Sequence, residues 1–223
     1  MIGLCIFDLD GTLLNTIGDL AAAANTVLRY RGFPEHTESE YKNMVGDGIS
    51  ELVARMLPEG FRDAEYVREC VEAMEREYQT CWAERTRPYC GIDTVLQTLQ
   101  TAGIPMAVLS NKPDSFTHVM VDHFFPGIRF SAVWGARAGF PRKPDPLSAL
   151  TIAGAAAVPS AACVFVGDSE VDIRTARSAG MISVGVTWGF RSRSRLQKET
   201  PAFIIDSPDE LPVICGILAR ETE

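Results

Sequence analysis

What most limits the fold open to this chain is an interruption. A short apolar run over residues 2–7 reads as a buried strand and stops at Asp8. From about residue 16 to residue 82 the spacing is helical and no stretch reads as a strand. Ile17, Leu20, Ala21, Ala24, Val27 and Leu28 predict a first helix, stopped by Gly32 and Pro34. Thr37-x-x-Glu40 is a capping box, which opens a second. Ile49, Leu52, Val53, Met56 and Leu57 predict a third, closed by Pro58 and Gly60. Asp63 caps a fourth, with Ala64, Val67, Val71, Met74 and Tyr78 along one face.

Beyond Pro88 and Gly91 the pattern alternates. Ile92, Val95, Leu96 and Leu99 form a helical stripe that Gly103 breaks. Strands are expected at 104–109, 128–134, 162–166 and 182–186, with a last short one at 203–205. Helices are expected from Pro113 (a favourable first helical position), from about 146, from Ser169, and over 208–219. Strands alternating with helices make βαβ units and a parallel sheet. The expected fold class is therefore α/β: a Rossmann-like parallel sheet with helices on both faces, formed by residues 1–15 and 83–223. Residues 16–82 are an inserted all-helical domain, placed where it can close over whatever binds after the first strand.

A chain of 223 residues suffices for one such domain with its insertion. The net charge of −8 argues against a nucleic-acid partner, which calls for a basic face. No apolar stretch is long enough to span a bilayer, and the first residues show no signal-peptide pattern. The six cysteines lack C-x-x-C spacing, and a zinc site is not expected; they read as reduced thiols of a cytoplasmic protein.

In open parallel sheets, ligands bind beyond the carboxyl ends of the strands. Four expected strands are followed by reactive groups. After the first comes Asp8-Leu9-Asp10-Gly11-Thr12, and after 104–109 comes Ser110-Asn111-Lys112. After 128–134 a loop leads to Arg142-Lys143-Pro144-Asp145, and after 162–166 comes Gly167-Asp168-Ser169-Glu170-Val171-Asp172. Each alone is an ordinary turn or helix cap. Together, in order, they place carboxylates, a hydroxyl, an amide and a lysine on one sheet edge. Asp8 and Asp168 suit Mg²⁺, whose charge would offset their repulsion. Asp8 can attack phosphorus, and Asp10 can protonate a leaving oxygen and then activate water. Ser110, Lys143 and free backbone N–H groups can hold phosphoryl oxygens. Gly11 frees the turn, and Ser169 caps a helix that carries Asp172 on the same side as Asp168.

At these residues the chain resembles a haloacid-dehalogenase superfamily phosphatase. "FDLDGTLLNT", "LSNK", "RKPDP" and "VGDSEVDIRTARSAGM" match its four ordered motifs, and the helical insertion matches its cap. The resemblance implies Asp8 as nucleophile and metal ligand, and Asp10 as general acid/base that also offers its backbone carbonyl to the metal. It implies Ser110, Asn111 and Lys143 at the phosphate. Asp168 becomes the acidic metal ligand, and Gly11, Thr12, Ser169 and Asp172 supporting residues. An aspartate at position 10 places the chain with the phosphoryl-transfer branch rather than the dehalogenases. Within that branch "VGDG" (45–48), "PYCGI" and "GVTWGFRSR" resemble phosphoglycolate phosphatases; Asn15-Thr16 and Cys90 depart from the usual pattern.

The implied function is Mg²⁺-dependent hydrolysis of a small phosphorylated metabolite, 2-phosphoglycolate first, through an aspartyl-phosphate. A sugar-phosphate mutase of the β-phosphoglucomutase type, a pyrophosphatase or a nucleotidase would use the same motifs. A phosphonatase would need a cap lysine, and Lys42 is the one on offer. A receiver-like phospho-switch is disfavoured by motif order. Gly46, Asp47 and Gly48 are the candidate specificity loop. Arg191, Arg193 and Arg195 are expected at the surface, and His36, His118 and His123 lie outside every motif. A monomer or homodimer is expected, with no membrane partner.

Overall fold

The computed structural model describes residues 2–217. The first strand, β1 (Leu4–Phe7), leads through a tight turn to the two-residue β2 (Leu14–Asn15). Helices α1 (Ile17–Tyr30), α2 (Glu38–Met44), α3 (Ile49–Met56) and α4 (Ala64–Cys81) follow, and β3 (Arg87–Pro88) brings the chain back. Then come α5 (Ile92–Thr101), β4 (Met106–Pro113), α6 (Asp114–Phe124), β5 (Ala132–Ala136) and α7 (Leu147–Ala155). The chain continues with β6 (Cys163–Gly167), α8 (Glu170–Ser178), β7 (Ile182–Val186), α9 (Arg193–Lys198), β8 (Phe203–Ile205) and α10 (Leu211–Ile214).

Six of these strands form one parallel sheet in the order β5-β4-β1-β6-β7-β8. The strands are mostly apolar because both faces are covered. Cys5 and Phe7 point to one face, with Met106, Val108, Val164, Val166, Val184 and Val186, under α5, α6 and α10. Leu4 and Ile6 point to the other, with Ala107, Leu109, Cys163 and Phe165, under α7 and α8. Each large side chain so buried stabilises the sheet by about 2 kcal/mol. After β5 the chain returns to the far side of β1, so the strand order reverses between β1 and β6. That is where a crevice opens beyond the strand ends.

The helices α1–α4 share a separate apolar cluster, including Ala24, Leu28, Leu52, Val53, Cys70 and Met74, which two core side chains, Phe116 and Phe190, join. The predicted caps are present: Thr37 and Glu40 form the capping box of α2, and Asp63 accepts the Tyr66 N–H at 3.0 Å. The connections into and out of this region pair with each other, Leu14 opposite Pro88 and Asn15 opposite Arg87, antiparallel. Asp19, 1% exposed, clamps the returning segment by accepting the N–H groups of Arg85 and Thr86 and the Thr86 hydroxyl, the last at 2.7 Å. Strands of two residues carry no periodicity, so the sequence pattern does not reveal them.

Other expectations shift. The strand expected at 104–109 runs on to Pro113, with a register irregularity against β5 after Leu109. Ser110, Asn111 and Lys112 look like a loop in sequence but are buried strand residues. The strand expected at 128–134 begins only at Ala132, because Ile128 closes a turn onto Phe125. Pro113 precedes α6 rather than starting it. In place of a helix over 208–219 there is a 3₁₀ turn, Pro208–Glu210, and the short α10; residues 218–219 lie outside the described residues. Among the described residues, no helix is long and apolar enough to cross a membrane.

Candidate active site

The reversal of strand order brings Asp8 and Asp168 together. β1 and β6 are in register to Phe7 and Val166, and the Asp8 N–H donates to the Val166 carbonyl at 2.9 Å. Asp8 and Asp168 are the next polar residues beyond those ends. Asp172 joins them from the first turn of α8. There it forms a capping box with Ser169, whose hydroxyl donates to Asp172 Oδ2 at 2.6 Å. Oxygens of Asp8, Asp168 and Asp172 lie within 4.8 Å of one another, and all three residues are buried. Gly11 turns with φ +87°, and a Cβ there would fall 2.4 Å from Asp168 Oδ2. The loop can wrap the cluster only because position 11 has no side chain.

One cation sits in the cluster. Lys143 Nζ lies 2.6 Å from Asp172 Oδ1 and 2.8 Å from Asp8 Oδ1. Burial works against its ammonium, but Asp172 and Asp8 outweigh burial and hold its pKa above the ordinary lysine value. Three carboxylates against one lysine leave negative charge in excess. Burial pushes the Asp8 pKa up to about 7 despite Lys143, and burial with the two neighbouring carboxylates drives Asp168 well above its usual range. Asp168 does accept the Phe190 N–H at 2.6 Å. Asp8 Oδ1 is buried and accepts no aligned hydrogen bond. An excess of buried hard oxygens with an unsatisfied lone pair fits a divalent cation such as Mg²⁺, held by Asp8 and Asp168 with Asp172 behind them.

Asp10 is separate from this cluster. Lys112 Nζ donates to its two carboxylate oxygens at 3.2 and 3.3 Å, and to the Tyr78 hydroxyl of α4 at 3.0 Å. Lys112 thus ties Asp10 to the helical region, a role the sequence pattern did not assign to either Lys112 or Tyr78. Ser110 is 4% exposed and opens on the cleft, its Oγ accepting the Lys112 N–H at 3.3 Å. Asn111 is a brace. Its amide donates to the carbonyls of Gly46 and Lys143, both at 3.0 Å, and its Oδ1 accepts the Lys143 N–H at 2.9 Å. No amide hydrogen is left for a phosphate. Thr12 is fully buried, its carbonyl accepting from the Trp188 indole at 3.0 Å.

Between this sheet edge and the helices lies a cleft of about 700 Å³. Its helical side is formed by Leu20, Val45, Ile49, Leu52 and Met74, with Tyr78 at Lys112. Gly46 and Gly48 line the cleft, whereas Asp47 pairs with Arg55 at 2.5 Å. Arg193 is exposed as expected and pairs with Asp206, while Arg195 is half-buried and pairs with Glu170. Arg191 departs from the expectation: it is 7% exposed and lines the cleft. The partners that bury it are backbone carbonyls from the helical region, which leave no mark in its own neighbourhood of the sequence. The histidines stay away from the cleft; His36 contacts the Met56 carbonyl, His118 lies near Asp114, and His123 packs on Trp82.

The family model for haloacid dehalogenase-like hydrolase matches residues 5–186. A phosphoglycolate phosphatase of Pseudomonas savastanoi pv. phaseolicola is 32% identical over 223 residues, spanning 99% of this chain and 81% of that protein. One from Vibrio parahaemolyticus is 30% identical, with 98% of each chain covered. A crystal structure from Lactobacillus delbrueckii subsp. bulgaricus, an inferred phosphoglycolate phosphatase, superposes with a TM-score of 0.90 at 32% identity, covering 98% of this chain and 99% of that one. The sheet order, the carboxylate cluster at its reversal and these full-length similarities agree, and the chain belongs to the haloacid dehalogenase-like hydrolases, as an enzyme whose relatives are phosphoric monoester hydrolases.

Proposed function

We propose that this chain is a Mg²⁺-dependent phosphatase of small phosphate monoesters, with 2-phosphoglycolate as the first substrate to try, and that residues 16–82 act as a cap over its site. The observation that carries the reading is the buried Asp8–Asp168–Asp172–Lys143 cluster with Asp10 beside it on the cleft. The names of the full-length relatives support the choice of substrate.

In this reading an Asp8 carboxylate oxygen attacks phosphorus in line. A bond forms between Asp8 and phosphorus as the bond to the leaving oxygen breaks, and Asp10 gives that oxygen its proton. Asp10, now a carboxylate, takes a proton from water, whose oxygen attacks phosphorus and frees Asp8. Lys112 keeps Asp10 in place between these transfers, and Lys143 and Ser110 hold phosphoryl oxygens as charge shifts onto them. Mg²⁺, when bound at Asp8 and Asp168, supplies the charge that lets anionic carboxylate and anionic phosphate approach.

The test is phosphate release from a panel containing 2-phosphoglycolate, hexose phosphates, nucleoside monophosphates and pyrophosphate, ranked by kcat/KM. Release should need Mg²⁺ and stop with EDTA. A ranking led by hexose phosphates or nucleotides would overturn the substrate. No release from any of them would overturn the phosphatase reading.

A further inference from the structure

The last turn of α2 leaves its carbonyls without helical partners, as every helix end does. Here the carbonyls of Lys42 and Met44, and of Val45 and Gly46 just beyond the helix, are met by side-chain N–H groups. Arg55, within the cap, donates to the Met44 carbonyl at 2.9 Å. The remaining donors come from the sheet domain. Arg191 donates to the Lys42 carbonyl through one nitrogen of its fork and to the Val45 carbonyl through the other, at 2.6 Å. Asn111 takes the Gly46 carbonyl. The guanidinium is itself anchored: its Nε faces Glu170 at 3.3 Å. Glu170 also accepts from Arg195 at 2.5 Å, and Arg195 reaches Asn43 Oδ1 at 3.0 Å.

We propose that Arg191 is a positioning residue, a latch that holds the cap segment 42–46 over the catalytic edge by binding its backbone carbonyls. Several features fit a latch better than a surface arginine. The side chain is 6% exposed, yet its two cap acceptors are 149 and 146 residues away in sequence. The guanidinium thereby meets the C-terminal, negative end of α2. The planar fork meets two carbonyls and a carboxylate from three separate nitrogens in fixed directions, which the single nitrogen of a lysine does not. Because carbonyls are read rather than side chains, the cap residues facing the cleft can change without loosening the latch. Glu170 opens α8 two residues after Asp168, so the latch is rooted beside the carboxylate cluster.

Hydrogen exchange on the full chain tests this without turnover. In Arg191→Met, amides of residues 41–52 should exchange about tenfold faster or more, the loss of a charge-assisted hydrogen bond, while β1, β4 and β6 keep wild-type rates. Arg193→Met, whose parent pairs only with Asp206, should change nothing in 41–52. Arg191→Lys keeps a cation at Glu170 and should fall between wild type and methionine; it carries the comparison if the methionine variant does not fold. Unchanged exchange over 41–52, or an equal rise across β1, β4 and β6, overturns the latch. A second readout rests on the phosphatase reading: kcat/KM for the best ester should fall in Arg191→Met and partly recover in Arg191→Lys. If the wild type releases no phosphate from any ester, that reading fails, and the exchange result still decides the latch.

Discussion

On the sheet side of the cleft, Asp8, Asp168, Asp172 and Lys143 are packed into a space where each charge depends on the next. On the helical side, Leu20, Val45, Ile49, Leu52 and Met74 face the same space without a charge. The first side is fixed by strand register, the capping box of α8 and a glycine turn, and loss of Lys143 leaves Asp8 and Asp172 buried without their cation. The second is an apolar wall, where swaps of similar volume cost less than about 1.5 kcal/mol. On the proposed function, reaction chemistry and substrate choice would fall to parts of the molecule with very different tolerance.

The sharpest way to break this division is Asp8→Asn. Phosphate release should drop by about four orders of magnitude or more while the fold persists, since an amide cannot form the covalent bond. An enzyme that kept most of its turnover would move the chemistry off β1. Next in size is Lys143→Met, which strips the cluster of its cation. Removal of one partner from a buried ion pair costs about 3–5 kcal/mol, readable as a lower denaturation midpoint in chelator. If stability held, the carboxylates would not be the interdependent set described.

Asp8 also gives a pH signature. Its pKa near 7 in the folded chain exceeds the ordinary carboxyl value of 3.8. A carboxyl raised on folding holds its proton more tightly in the native state, so it lowers stability as pH climbs from the unfolded value through the folded one. In chelator, Asp8→Asn should therefore melt above wild type at pH 8, by an amount that shrinks toward pH 4. Mg²⁺ should narrow or reverse the gap by stabilising wild type alone.

Two cap changes complete the series. Leu52→Ala opens the apolar wall and should shift the ratio of kcat/KM between a small and a larger ester by about threefold to tenfold, with the Mg²⁺ requirement unchanged. Asp47→Ala should do least, under about twofold for any ester, because that carboxylate faces Arg55 and not the cleft. A large effect there would mean that the loop meets substrate through a side chain after all.

Residues whose signals are local could be read from the sequence, and residues whose partners are distant could not. Ser169-x-x-Asp172 announces a helix start in four letters, and the structure uses it to aim Asp172 at Lys143. The parallel sheet follows from strands alternating with helices, but no residue pattern marks the reversal of strand order between β1 and β6. Ser110, Asn111 and Lys112 read as a loop because polar residues normally end a buried strand; the covering helices keep them inside. Lys112 could not be assigned to Asp10 because the two are 102 residues apart, and the Tyr78 partner comes from a third element. Arg191 was placed at the surface for a deeper reason. Its acceptors are main-chain carbonyls, which every residue has and no sequence pattern marks.

The clamp at Asp19 and the pairing of Leu14–Asn15 with Arg87–Pro88 bring the two crossings between sheet and helices to the same spot. Partners in such a pair are separated by only about 5 Å. The helical segment therefore leaves and rejoins the sheet region at one place, and its two ends lie side by side. If the proposed cap chooses the substrate, one pair of adjacent crossings is all that a different helical segment would have to match to sit over the same carboxylate cluster.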